Sequence, residues 1–270
     1  MKPPMPYYGG KQRIAERIVA QFPPHRHYVE PYAGGLSVFL AKPRSHIETL
    51  NDLDGSLVTF WRVLRDRPDD LMRVALLTPH SRAELALAHE PMDGLDELEI
   101  ARRIWVHLTQ GRAGRRTRTG WRYYVEGTRW SGMDVYLRGY VDRMPPAAAR
   151  LAGVQLDCQP ALELIAKYGR EKSSLLYVDP PYLASTRRSL QYLHEMHTEA
   201  EHAELADALK DTAAAVVLSG YHSPAYDRWY ADWNVVEIRA STQQNGQHAE
   251  RVEVLWCNFE PADHLFAEGC

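Results

Sequence analysis

The chain has 270 residues, 45% hydrophobic and 25% charged, which suits one large globular domain or one domain carrying a sizeable insertion. Its net charge of −3 excludes nucleic-acid binding through overall charge and leaves that role to a local basic patch. Cys158, Cys257 and Cys270 are odd in number and form no C-x-x-C pair, which argues against a disulfide framework and a cysteine zinc site.

The first ten residues contain no apolar signal core, and no run approaches membrane-spanning length, so a cytoplasmic protein is expected. Tyr7-Tyr8-Gly9-Gly10-Lys11 leads into a predicted helix over 12–22, where Ile14, Ile18, Val19 and Phe22 recur at helical spacing before Pro23-Pro24. A short strand is predicted over 28–30, then the tight loop Pro31-Tyr32-Ala33-Gly34-Gly35, a helix over 36–42 and a strand over 47–50. Asn51-Asp52-Leu53-Asp54-Gly55 closes that strand, with Asp54 suited to cap a helix over 56–65. Such an alternation of strands and helices signals a parallel sheet.

From 66 to 146 the pattern becomes mainly helical, with segments predicted over 69–77, 81–89, 95–108 and 134–144, and Pro145-Pro146 closing the stretch. It reads as an insertion with its own role. Between its last two helices lies a glycine- and arginine-rich loop. Ten arginines against three acids fall between 101 and 143, densest from Arg112 through Arg115, Arg116 and Arg118 to Arg122. Arginines contact phosphates and guanine edges, and aromatics such as Trp121 and Tyr123 can wedge or stack at an opened base step. A solvated surface loop has the same composition.

Alternation then resumes. Strands are predicted over 154–156, 175–178, 214–218, 235–238 and 251–258, and helices over 160–168 and 199–210. The strand over 175–178 ends in Asp179-Pro180-Pro181-Tyr182. Two prolines restrict φ and lack N–H donors, so the chain must leave the sheet in a fixed, extended turn. That turn sets a carboxylate, a backbone carbonyl and an aromatic ring together at the carboxyl end of a strand, where open α/β sheets bind ligands. Upstream, Glu30 precedes Gly34-Gly35, and Asp52 lies eighteen residues after Gly34, near the spacing of a ribose-binding acid. Neither G-x-G-x-x-G nor a P-loop motif is present, which favours a nucleoside ligand without pyrophosphate. Capping acids and turn glycines explain the same residues without a ligand.

Taken in order, these residues resemble the Dam-type, D12 class, adenine-N6 DNA methyltransferases, especially their phage and prophage branch. The resemblance rests on Tyr7-Tyr8-Gly9-Gly10-Lys11, on Val29 through Leu40, on Asn51-Asp52-Leu53-Asp54, and on Asp179-Pro180-Pro181-Tyr182. Leu218-Ser219-Gly220-Tyr221 and Arg251 through Trp256 look like late elements of that branch, while 66–146 matches less clearly. The resemblance implies a Rossmann-like methyltransferase domain over 1–65 and 147–270, with 66–146 an inserted, mainly helical DNA-recognition domain. It implies S-adenosyl-methionine as cofactor, near Tyr7, Lys11, Glu30, Pro31, Tyr32, Gly34, Asp52, Asp157 and Asp179. It also implies double-stranded DNA as substrate and a link to restriction-modification; no obligate protein partner is implied. One departure stands out: the family loop often reads aromatic-x-Gly-x-Gly, and here Leu36 fills the last place, where a side chain would crowd the methionine end of the cofactor.

The expected chemistry follows from the turn. The exocyclic amine of adenine is a weak nucleophile, and the Asp179 carboxylate and Pro180 carbonyl are acceptors for its two N–H groups. Tyr182 would stack on a flipped-out base, and alignment alone then permits in-line transfer without a covalent intermediate. Twelve histidines include His25-Arg26-His27 and His194-Glu195-Met196-His197, but neither has metal-ligand spacing, so no metal is expected. Methylation of cytosine N4 or RNA adenine, and a DNA-binding relative without turnover, are the alternatives.

Overall fold

Ser174–Val178 is buried at all five positions, as a strand covered on both faces must be. In the computed structural model, which describes residues 1–124, 132–183, 196, 198–244 and 247–261 (backbone only over 240–244 and 247–251), this segment is β4, at the centre of a seven-stranded sheet. The other strands are β1 (His27–Glu30), β2 (Ile47–Asn51), β3 (Gln155–Asp157), β5 (Ala215–Gly220), β6 (Asn234–Gln244) and β7 (Gln247–Cys257). Their order is β3-β2-β1-β4-β5-β7-β6; the first five run parallel, and β7 is antiparallel to both β5 and β6. This is the expected Rossmann-like sheet. The direction of winding reverses between β1 and β4, which makes a crevice at their carboxyl ends.

The period of two divides the core. Tyr28, Leu175 and Tyr177 face one side, with α1 (Ala15–Val19), α2 (Ser37–Ala41) and α3 (Gly55–Asp66). Val29, Leu176 and Val178 face the other, with α9 (Ala161–Tyr168), α10 (Glu199–Lys210) and α11 (Pro224–Trp229). Asp54 caps α3 by accepting from the Ser56 and Leu57 amides. Thr198 and Glu201 form a capping box on α10.

The segment 66–146 supplies α4 (Pro68–Leu77), α5 (Arg82–Ala88), α6 (Glu97–Gln110) and α7 (Met133–Val141). Its Trp105, Ile104 and Leu108 on α6 share one continuous apolar cluster with Phe60 and Trp61 of α3 and with Tyr28 of β1. Two sequence expectations change here. Pro145-Pro146 does not stop a helix but opens α8 (Met144–Leu151), because proline in the first turn has no helical N–H to lose. The last two strands are each eleven residues long, beyond the predicted 235–238 and 251–258. Their outer halves are polar and show no apolar alternation. The register pairs Gln244 with Gln247, and the Asn-Gly dipeptide between them in the sequence is a hairpin signal. No described helix is long and apolar enough to cross a membrane.

Candidate active site

A cavity of about 330 Å³ opens where β1, β2 and β4 end. Glu30 closes β1, Asn51 closes β2, and Asp179 follows β4 directly, so three strand ends bring a carboxylate, an amide and a second carboxylate to one wall. Of the expected cofactor residues, Tyr7, Lys11, Glu30, Pro31, Tyr32, Gly34, Asp52 and Asp179 line it; Asp157 does not. The Asp157 carboxylate instead accepts from the Cys158 amide and, at 2.7 Å, from Gln159 Nε2. Gln159, Pro160, Ala161 and Leu162 take the wall on that side.

The loop after β1 is fixed by backbone bonds. Ala33 donates to the Asn51 carbonyl at 2.8 Å, and Gly34 donates to Asp52 Oδ2 at 2.8 Å. Asp52 Oδ1 receives the Asp54 amide at 2.9 Å. The glycines are required by a neighbour as much as by any ligand: a Cβ on Gly34, whose φ is +47°, would lie 2.8 Å from the Tyr7 ring, and one on Gly35 would lie 2.6 Å from Tyr7 Cβ. Tyr7 therefore seats on the loop and roofs the cavity. Leu36 adopts a left-handed conformation (φ 55°) at the start of α2, a strain of about 1 kcal/mol for a side chain. Its side chain is buried with Phe39 and Leu40, which offsets that strain, and Leu36 also lines the cavity wall.

Lys11 is held at the other end. Its Nζ donates to both Asp179 oxygens at 2.8 Å, to the Gly9 carbonyl at 3.2 Å and to the Tyr182 hydroxyl. The Tyr182 O–H in turn donates to Glu253 Oε1 at 2.6 Å, and its ring meets Tyr221 edge to face at 4.7 Å. Pro181 lines the cavity, whereas Pro180 and Tyr182 are buried behind that wall. Burial pushes the Asp179 carboxyl up; Lys11 opposes this and Glu253 adds to it, leaving it at about 6. Burial likewise lifts Glu30 to about 8, against the bond it accepts from the Tyr28 hydroxyl and with the negative charge of Asp179. The cavity wall thus carries acids that a cation would draw into their ionised forms.

The arginine loop divides into two sets. Arg112 and Arg118 are exposed, and Arg115 lies half-buried over the Tyr8 ring at 5.3 Å. Arg116 is turned inward: its guanidinium bonds Asp54 at 2.6 Å and Ser56 Oγ at 2.9 Å, and it is only 9% exposed. That site is closed to phosphate, and the sequence hid the pairing because Asp54 lies 62 residues away. Trp121 stacks on His80 at 4.3 Å and on Tyr123 at 5.7 Å, with Arg82 above it at 4.6 Å. Arg122 lies over Tyr136, while Tyr123 is 46% exposed. The loop reaches the cavity's roof: the Tyr8 amide donates to the Gly114 carbonyl at 2.8 Å, and a Cβ on Gly114 would strike Pro6 at 2.9 Å. Residues 125–131, including Arg129, and most of 194–197 lie outside the described residues.

Sequence reasoning assigns no role to Glu253 or Ser219. An acid between Val252 and Val254 on a buried strand was the available signal.

The family model for D12 class N6 adenine-specific DNA methyltransferases matches residues 7–89 and 142–244, more than half of the chain. The gap falls within the helical segment and its arginine loop. The chain is also 24% identical to the Type II methyltransferase M1.LlaDCHI of Lactococcus lactis subsp. cremoris over 96% of both sequences. Among solved structures, precorrin 8W decarboxylase of Methanobacterium thermoautotrophicum aligns at 10% identity and TM-score 0.39, covering 95% of this chain and 94% of that one. A SAM-dependent methyltransferase of Agrobacterium tumefaciens aligns at 9% identity and TM-score 0.39, covering 92% of this chain and 61% of that one. The fold assignment rests on strand order and not on these two likenesses.

Proposed function

Since the chain belongs to the D12 class N6 adenine-specific DNA methyltransferase family, it is an enzyme that methylates adenine N6 in DNA with S-adenosyl-methionine, and we propose that transfer occurs at the Asp179 turn. The observation that carries this reading is the Asp179 carboxylate at the wall of the crevice between β1 and β4, still 19% exposed although Lys11 binds it.

The residues present suit the cofactor. Asp52 offers a carboxylate oxygen for ribose hydroxyls, and Leu53, Pro160, Ala161 and Leu162 give the cavity an apolar side suited to a flat ring, with polar Gln159 beside them. Glu30 and Asp179 supply negative charge for a cationic centre. When bound, the cofactor supplies an electrophilic methyl group on a sulfonium. The chain's own part is placement: above about pH 6, ionised Asp179 accepts one amine N–H, and the Pro180 carbonyl accepts the other. A carboxylate of raised basicity also suits the proton the amine must lose. Tyr221, half-buried and packed edge to face against the buried Tyr182 ring at 4.7 Å, offers the target base an aromatic surface that Tyr182 supports. A base in a duplex cannot reach a crevice of this kind, so we infer that double-stranded DNA binds with the adenine flipped out.

Residues 66–146 serve, in this proposal, as the recognition segment. Arg112, Arg115, Arg118 and Arg122 meet phosphates or guanine edges, and Tyr123 meets the opened step. Arg116 and Trp121 brace the loop instead. The Type II name of the Lactococcus relative supports a role in modifying a short DNA site.

The test is direct. Incubating the protein with radiolabelled S-adenosyl-methionine and unmodified duplex DNA, followed by digestion to nucleosides, should place label in N6-methyldeoxyadenosine alone. Label in methylcytosine, or only when RNA is supplied, would overturn the reading.

A further inference from the structure

A second buried acid, Glu253, stands behind the Asp179 turn. Resting on the reading of that turn as the transfer site, we propose that Glu253 is a positioning residue for methyl transfer, fixing Tyr182 through its hydroxyl and drawing Lys11 away from exclusive pairing with Asp179.

Glu253 is 5% exposed and lies on β7 between apolar neighbours. A carboxylate there is costly unless it is paired. Three segments converge on it: Tyr182 O–H from the turn at 2.6 Å, Ser219 O–H from β5 at 2.6 Å, and Lys11 Nζ at 3.5 Å. Both hydroxyls reach the same oxygen, Oε1, which ties the Tyr182 ring to the sheet, while the Tyr182 hydroxyl also lies 3.3 Å from Asp179 Oδ1 in its own turn.

Lys11 has three N–H donors, yet two Asp179 oxygens, the Gly9 carbonyl and the Tyr182 hydroxyl all lie within 3.2 Å. A second carboxylate 3.5 Å away competes for the same ammonium. Lys11 is shared, and Asp179 retains acceptor capacity for an incoming amine. In Glu253→Gln, Lys11 would pair with Asp179 alone, and the Tyr182 hydroxyl would lose its charged anchor on the sheet and keep only Asp179 Oδ1, at 3.3 Å, as a carboxylate acceptor.

The groups facing Asp179 are Lys11 from the N-terminal segment, Tyr182 from the turn, Glu253 from β7, Glu30 from β1 and Tyr177 from β4. Glu253 raises the Asp179 carboxyl, whereas Lys11 and Tyr182 lower it. Removing the Glu253 charge must therefore move Asp179 ionisation to lower pH.

The experiment is the pH profile of kcat/KM, with kcat alongside, for the full chain with duplex DNA and S-adenosyl-methionine, comparing the parent with Glu253→Gln and Ser219→Ala; the acid limb is read from kcat/KM, which reports the free enzyme. For Glu253→Gln, kcat should fall by about 10–100-fold, with the cofactor KM changed by less than about threefold. Its acid limb should move down by about half a pH unit or more. Ser219→Ala keeps the charge and loses one bond, so kcat should fall less and the limb should stay in place. Binding of S-adenosyl-homocysteine by calorimetry shows that each variant is folded. A Glu253→Gln enzyme with parental kcat and limb overturns the inference. If that variant does not fold, the cycle of Ser219→Ala with Tyr182→Phe decides: non-additive losses support the anchor, and additive losses overturn it. A parent that transfers no methyl group to DNA overturns the reading of the turn as well, whereas an active parent matched by Glu253→Gln overturns only the role of Glu253.

Discussion

Two buried charge clusters of similar composition stand on either side of β1, and they are balanced in opposite senses. At the crevice, one ammonium, Lys11, serves two carboxylates, Asp179 and Glu253. Under α8, two cations, Lys42 and Arg150, serve one carboxylate, Glu48, with bonds of 2.7 Å from each. Both clusters are desolvated, yet Glu48 and Asp179 shift in opposite directions. Burial would raise Glu48, but hydrogen bonds from Arg150 and Lys42 hold it at about 2. Asp179 is left at about 6. An acid with surplus cations is locked and structural. An acid short of cations keeps an affinity for further positive charge or for a donor, and here that acid faces a cavity.

The largest expected effect breaks the locked cluster. Glu48→Gln leaves Lys42 and Arg150 buried without their counter-charge, and unfolding free energy should drop by about 3–5 kcal/mol. Denaturant melts measure the loss. Specific activity per folded molecule should stay parental, since Glu48 touches neither the cavity nor the turn. The converse change is Asp179→Ala, which should lower kcat by about 10²–10³-fold while the melt moves little, because Lys11 still has Glu253 as partner. A large stability loss in Asp179→Ala would erase the contrast between the clusters.

A smaller effect sharpens it through pH. Glu30 is raised to about 8, so below that pH its carboxyl is protonated in the free protein. A cation bound beside it favours the anion and expels the proton, so affinity for the sulfonium cofactor should rise with pH by up to about tenfold per unit and level off above about 8. S-adenosyl-homocysteine carries no sulfonium charge and should show a flat profile over the same range. Calorimetry in buffers of different ionisation heat would detect the released proton. Equal pH profiles for the two ligands would remove Glu30 from the neighbourhood of the cationic centre.

Much of the fold was legible in the sequence because it is local. Apolar runs ended by Glu30, Asp52 and Asp179 mark strand ends, and Asp54 caps α3 as its position suggests. What stayed hidden depends on distant contacts or on polar surfaces. Gly34 and Gly35 read as room for a ligand, but the atoms that exclude a Cβ belong to Tyr7. Tyr182 read as a free aromatic face, but its hydroxyl is fixed by a residue 71 positions further on. The outer halves of β6 and β7 carry no apolar alternation, so only the Asn-Gly dipeptide between them marked their length. Composition likewise cannot separate a phosphate-facing arginine from one turned inward, and Arg116 stands in the middle of a run that looks uniform.

The smallest effect tests that last distinction. Arg118 is exposed and Arg116 is bonded to Asp54 beneath the loop. Each phosphate contact releases condensed counterions, so removing one lowers the slope of log affinity against log salt by about 1. Arg118→Ala should lose that increment and leave the melt unchanged. Arg116→Ala should leave the salt slope nearly parental and lower the melt, because Asp54 is then buried against α3 without its cation. Filter binding across a salt series, paired with thermal melts, reads both quantities on the same samples. If Arg116→Ala instead flattens the slope with no loss of stability, the inward pairing gives way when DNA arrives. Arg116 would then belong with the exposed arginines, and the Arg116–Asp54 pair would be a latch released on binding.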